Sequence, residues 1–259
     1  MKNIIYFLVA TTLLFAACNT PDKKNAEKAK LDSIAKADSI KKEKINSLDT
    51  LIVIDIDGNV YHTVTIGTQV WMAENLKTTH YRNGNTIPNI SDSLKWNDLK
   101  TGAYCNYNND TTFSNVFGKL YNWYAVNDNH KLCPSGWHLP SDAEWTTLEI
   151  VLGMSQTDAD KTGWRGTNEG GKLKETGTTH WNSANAGATN SSGFSALPGG
   201  FRNDYGTFYS VGDYGYWWSA SEYAAGNAWS THLHGYDSNV RRDYLNKEYG
   251  FSVRCVKDN

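Results

Sequence analysis

The chain has 259 residues, 25 of them basic and 27 acidic, for a formal charge of −2. No basic patch with interleaved aromatic residues occurs, which excludes the electrostatic footprint of a nucleic-acid partner. All 10 tryptophans and all but one of the 15 tyrosines fall after residue 50, so the chain is not one uniform fold.

Residues 1–17, "MKNIIYFLVATTLLFAA", set Lys2 before a continuous apolar run. This is the n-region and h-region of a secretory signal, too short for a spanning helix. The run stops at "LFAAC", which resembles the bacterial lipobox, with Phe15 where leucine is commoner. The resemblance implies cleavage before Cys18 and acylation of that cysteine, giving a membrane anchor; stable anchoring takes more than one acyl chain. An ordinary signal peptide with a chance cysteine is the alternative. Asn19 is not the aspartate linked to inner-membrane retention in some bacteria, which favours an outer-membrane lipoprotein, on the periplasmic or the cell-surface face.

Residues 18–50 continue as a tether. Residues 19–50 hold eight lysines, six acidic residues and no aromatic residue. Leu31, Ile34, Ile45 and Leu48 fit helical spacing too sparsely to build a core, so a charged, partly helical spacer is expected. A short coiled coil is the other reading.

Residues 51–259 form one domain's length of chain, with 16 basic and 21 acidic residues and a formal charge of −5. It opens with apolar residues alternating around Asp57-Gly58, which predicts a hairpin. The Asp55-x-Asp57-Gly58 fragment lacks the further oxygen ligands of a calcium loop. A short helical stretch is expected at 121–126. Ser141 and Glu144 make a capping box, with Leu139 and Trp145 as a hydrophobic staple. Trp145, Leu148, Val151 and Leu152 are then expected on one buried face of a helix ending near Gly153. Gly- and Asn-rich segments follow, and "YWWSAS", "AWSTHLH", "NVRRDYL" and "GFSVRCV" read as short strands. One capped helix, many short strands and long loops predict an α+β domain.

After Cys18, three cysteines remain, Cys105, Cys133 and Cys255, an odd number that leaves one thiol over. The blocks "VTIGTQVWMAENL", "GKLYNWYAV", "CPSGWHLPSDAEWTTLE", "GFSALPGGFR", "GYWWSASE" and "GFSVRCV" together resemble the Fibrobacter succinogenes major paralogous domain family. That family is similar to the C-type lectin-like fold, which implies a disulfide from Cys133 to Cys255 and leaves Cys105 over. The fold is shared with formylglycine-generating enzymes, which depend on a reactive cysteine pair that binds copper. With two cysteines in a bridge that chemistry lacks its parts, and no enzyme activity or cofactor is expected.

The calcium site of sugar-binding lectins does not carry over. "WND" stands at Trp96–Asp98, upstream of the helix, and the later loop offers only Asn203 and Asp204. His232 and His234 alternate on a strand at zinc-binding spacing, but no third ligand is evident, so no metal is expected. Arg241 and Arg242 are expected to place one ion pair in the fold. The segment Phe201 to Trp218 carries eight aromatic residues beside Arg202, Asn203, Asp204 and Asp213. Phe201, Trp217 and Trp218 are assigned to the core. Tyr205, Tyr209, Asp213, Tyr214 and Tyr216 are the ligand-binding candidates, because phenol hydroxyls tolerate exposure and aromatic faces stack on sugars. The expected function is non-catalytic binding of a glycan, with scaffolding through a surface protein partner as the alternative.

Overall fold

The computed structural model describes residues 52–259 apart from Ser183, together with Lys28, Lys30, Asp32, Ser33 and Lys36. Those five are helical and exposed. The expected signal, Cys18 with its expected acylation and the rest of the expected tether lie outside the described residues. Among the described residues, no helix is long and apolar enough to cross a membrane.

The domain is α+β and rich in strands. Strands β1 (Ile52–Ile54), β2 (Val60–Ile66) and β3 (Gln69–Met72) form an antiparallel meander. The first turn is the expected one: Gly58 has φ +82, and Asp55 accepts from the backbone N–H of Asp57 and Asn59. The buried Tyr61 hydroxyl closes onto the same Asp55 carboxylate at 2.6 Å. Then come α1 (Ser93–Asn97), β4 (Tyr104–Cys105), α2 (Thr111–Phe117), β5 (Leu120–Tyr121) and α3 (Trp123–Val126). The short helix thus starts at Trp123, capped by the Asn122 side chain, and Tyr121 belongs to a strand.

β6 (Trp137–His138) leads into α4 (Asp142–Val151), whose capping box is formed as expected. Ser141 Oγ accepts from Glu144 N–H at 3.2 Å, and Glu144 accepts from Ser141 N–H at 2.7 Å. Two helical expectations fail. Leu139 packs in a different core cluster from Trp145, so no staple forms between them. Val151 is half exposed, and the buried face is completed by Glu149, ion-paired to Arg165 at 2.6 Å. A carboxylate is tolerated there because Arg165 reaches it from β7 (Gly163–Arg165). Burial is only part offset by that guanidinium, and pushes Glu149 up to about 7.

α5 (Gln156–Ala159), α6 (Glu169–Leu173) and strands β8 (Gly199–Arg202), β9 (Phe208–Val211), β10 (Tyr214–Ala224), β11 (Asn227–His234), β12 (Val240–Asn246) and β13 (Val256–Lys257) complete the domain. The two larger sheets have the orders β1-β2-β3-β13-β6 and β7-β12-β11-β10-β8-β9. β10 separates two aromatic cores, because successive strand residues point to opposite faces. Trp217 lies with Trp71, Trp145 and Phe194; Trp218 lies with Tyr61, Tyr121 and Phe251. Both tryptophans are fully buried, as expected.

Cys133 and Cys255 are joined, with Cα atoms 6.0 Å apart across 122 residues of sequence. β6 also pairs with β13 through Val256 and His138. The rigid segment before α4 is therefore fastened to the end of the chain by a covalent bond and a strand pair. Cys105 remains a buried free thiol.

Long loops must satisfy their carbonyl groups without ladder partners. Three fully buried cations do this here. Arg202 donates to the carbonyls of Ile90, Ser91 and Gly206 while lying over Trp96. Arg254 donates to Asn75 Oδ1 and to the Phe194 carbonyl, stacked on the Phe194 ring at 4.0 Å. Lys174 Nζ donates to the carbonyls of Ala186, His234 and Asp237 at 2.9, 3.0 and 2.7 Å.

Candidate functional site

Strand register assembles the most distinctive surface of the domain. Tyr216 on β10 pairs with His232 on β11, His232 with Arg241 on β12, and Arg241 with Trp164 on β7. One row of side chains therefore crosses four strands on one face of the sheet. The neighbouring rows on that face bring Tyr214 beside His234, and Ser230 beside Asp243. Phe201 from β8, with Tyr249 and Phe251 from the closing segment, supplies the opposite wall. The result is a cleft of about 310 Å³, large enough for one small ring or a segment of a chain.

The walls are packed aromatic rings. Tyr216 contacts Phe201 at 4.8 Å and His232 at 4.4 Å between centroids. The His234 ring stands edge-on to Trp164 at 4.3 Å and stacks on Tyr214 at 5.2 Å. Because Lys174 holds the His234 carbonyl, the buried ammonium fixes the strand end that carries this wall.

The polar groups converge on the same space. Arg241 donates through Nε and Nη2 to Asp243 Oδ2 at 2.9 and 2.6 Å. Asp243 Oδ1 accepts from Tyr244 N–H. Arg242, the next residue, faces the other side and pairs with Asp142 at 2.5 Å. Both arginines are thus ion-paired, where one pair was expected. His232 is buried, and desolvation pushes its pKa down to about 3, so the ring is neutral. Burial likewise raises the Tyr216 phenol well above its usual range, so it stays protonated.

Of the five candidate tyrosine and aspartate positions, Tyr214 and Tyr216 line the cleft. Tyr209 stacks on Phe201 at 5.5 Å and is half exposed, without lining the cleft. Tyr205 is 72% exposed and Asp213 accepts from Asn182, and neither lines the cleft. Phe201, assigned to the core, is half-buried and is also a cleft wall. Trp164, His232, Arg241, Asp243 and Tyr249 were not singled out as binding residues. The alternation of His232 with His234 and of Arg241 with Asp243 was the available signal, but the pairing partner sets the register. His232 contacts Ser230 and His234 contacts Asp237. Among the described residues, no group of three His, Cys, Asp or Glu side chains could hold a metal ion.

The model of the Fibrobacter succinogenes major domain family matches residues 64–257, so the chain belongs to that family. No curated protein and no solved structure matches the chain.

Proposed function

We propose that this member of the Fibrobacter succinogenes major domain family is a lipid-anchored, outer-membrane protein whose lectin-like domain binds a glycan in the cleft. The reading rests on one observation: the Tyr216–His232–Arg241–Trp164 row sets aromatic faces beside hydrogen-bonding groups in a single concave site. Pyranose rings present apolar C–H faces and a belt of hydroxyls, and this combination of walls matches both. A C-type lectin-like topology is supported by the Cys133–Cys255 closure of the helix onto the last strand.

Binding without catalysis is supported by the state of the thiols. Cys133 and Cys255 are bonded to each other, and burial pushes the Cys105 thiol up to about 12, far from a reactive thiolate. The anchor reading rests on the "LFAAC" sequence and Cys18.

A protein partner is the second reading. Ile52, Ile54, Ile56 and Val60 are all exposed on the β1–β2 hairpin, and β1 is a sheet edge. The two readings separate in a binding screen of the purified full chain against an oligosaccharide panel. Saccharide binding that Tyr216→Ala abolishes supports the glycan reading; saccharide binding that Tyr216→Ala leaves intact refutes its placement in the cleft.

A further inference from the structure

We infer that the cleft is built for an uncharged, hydroxyl-bearing ring, and that His232 Nδ1 is the acceptor that selects it. This inference rests on the glycan reading of the cleft and specifies the ligand's charge and one specificity-determining atom.

The argument begins with the tautomer. Ser230 Oγ lies 3.2 Å from the Asp243 carbonyl oxygen and 2.9 Å from His232 Nε2. A carbonyl oxygen can only accept, so with both contacts made as hydrogen bonds the single Ser230 hydroxyl hydrogen goes to Asp243. For the second contact to be a hydrogen bond, His232 must donate from Nε2. The neutral ring then carries its proton on Nε2 and presents a lone pair at Nδ1. Nδ1 has no partner among the described residues, and it is not one of the sealed unsatisfied atoms. His232, 3% exposed, is itself one of the residues that line the cleft.

The remaining free capacity is donor-rich but without net charge. The phenol hydroxyls of Tyr214, Tyr216 and Tyr249 have no hydrogen-bond partner among the described residues, and neither has Arg241 Nη1. The Arg241 charge is already met by Asp243, in two hydrogen bonds to one oxygen. A carboxylated ligand would put a second carboxylate on that one guanidinium, beside Asp243, and would have to be desolvated there. A hydroxyl group fits instead, because it donates to Nδ1 and accepts from a phenol or from Nη1 in the same position. A site built to receive such a hydroxyl rejects a ligand lacking it, since its own buried group is left unpaired.

The test compares matched saccharides on the purified full chain by calorimetry: neutral gluco-, galacto- and manno-oligosaccharides against oligoglucuronate and oligogalacturonate. The inference expects at least one neutral series to bind 10-fold or more tighter than its uronate counterpart, in chelator as well as in calcium. His232→Leu is expected to weaken that neutral binding at least 10-fold, while His232→Asn, which restores an acceptor, recovers part of it. Should His232→Leu unfold the chain, the charge comparison on the wild type still decides. Equal or tighter uronate binding overturns this inference and leaves the glycan reading in place. Absence of binding in both series overturns the inference and the glycan reading together.

Discussion

His232 makes the most quantitative prediction. Its ring is packed between Tyr216 and Phe251 and is only 3% exposed. In the unfolded chain a histidine takes up a proton near pH 6.5, whereas in the fold burial holds the value down to about 3. Between those values the unfolded state binds more protons than the native state, so stability falls as the pH falls below 6.5. The slope approaches about 1.4 kcal/mol per pH unit, and the loss between pH 7.5 and pH 5 is about 2 kcal/mol. Urea unfolding at those two pH values measures it, and His232→Phe removes the titration while keeping a ring in place. Every other group is common to both proteins and cancels in the comparison. The wild type should lose about 2 kcal/mol more than the variant over this interval. Equal losses would refute the placement of a neutral, desolvated ring under the cleft.

Three further outcomes are expected. Cys133→Ser opens a loop spanning 122 residues and should cost about 5 kcal/mol in the chain-entropy view, read from the urea midpoint with and without reductant; a variant as stable as the oxidised wild type contradicts this. Lys174→Met leaves the carbonyls of Ala186, His234 and Asp237 without their donor and should speed amide hydrogen exchange at Ala186, whose N–H bonds to Gly235; unchanged exchange there would show that the ammonium does not hold these loops. Burial alone would lower the His138 pKa, but hydrogen bonds to Asp258 and Glu144 outweigh it and raise the ring above 6.5. That pair stabilises the fold below pH 6.5, and its contribution is lost as the pH rises through the raised value. Asp258→Asn should lower the value in an NMR titration, and an unmoved titration curve would contradict the assignment.

The legible features of this fold are the local ones. The Ser141–Glu144 capping box and the Asp57-Gly58 turn need only a few neighbouring residues, and both formed as read. The Cys133–Cys255 pairing was available only through resemblance, because three cysteines leave the partner open. The helix face was misread where a local pattern met a distant residue: Glu149 turns inward because Arg165 comes to meet it, and Val151 is left half exposed. The cleft was half legible. Tyr214 and Tyr216 lie in a strongly aromatic segment, but their company is decided by register across β7, β10, β11 and β12, which no short stretch encodes. The same rule separates Arg241 and Arg242, adjacent in sequence and committed to opposite faces of one strand.

The central claim is that ligand enters the cleft on this sheet face. The most direct measurement is an NMR titration of the isotope-labelled full chain with the tightest saccharide from the panel. The account predicts that the Trp164 indole N–H and the backbone amides of Tyr214, Tyr216, His232 and Arg241 shift together and saturate at one affinity. Shifts confined to the exposed Ile52–Val60 hairpin, with the cleft resonances unmoved, would contradict it.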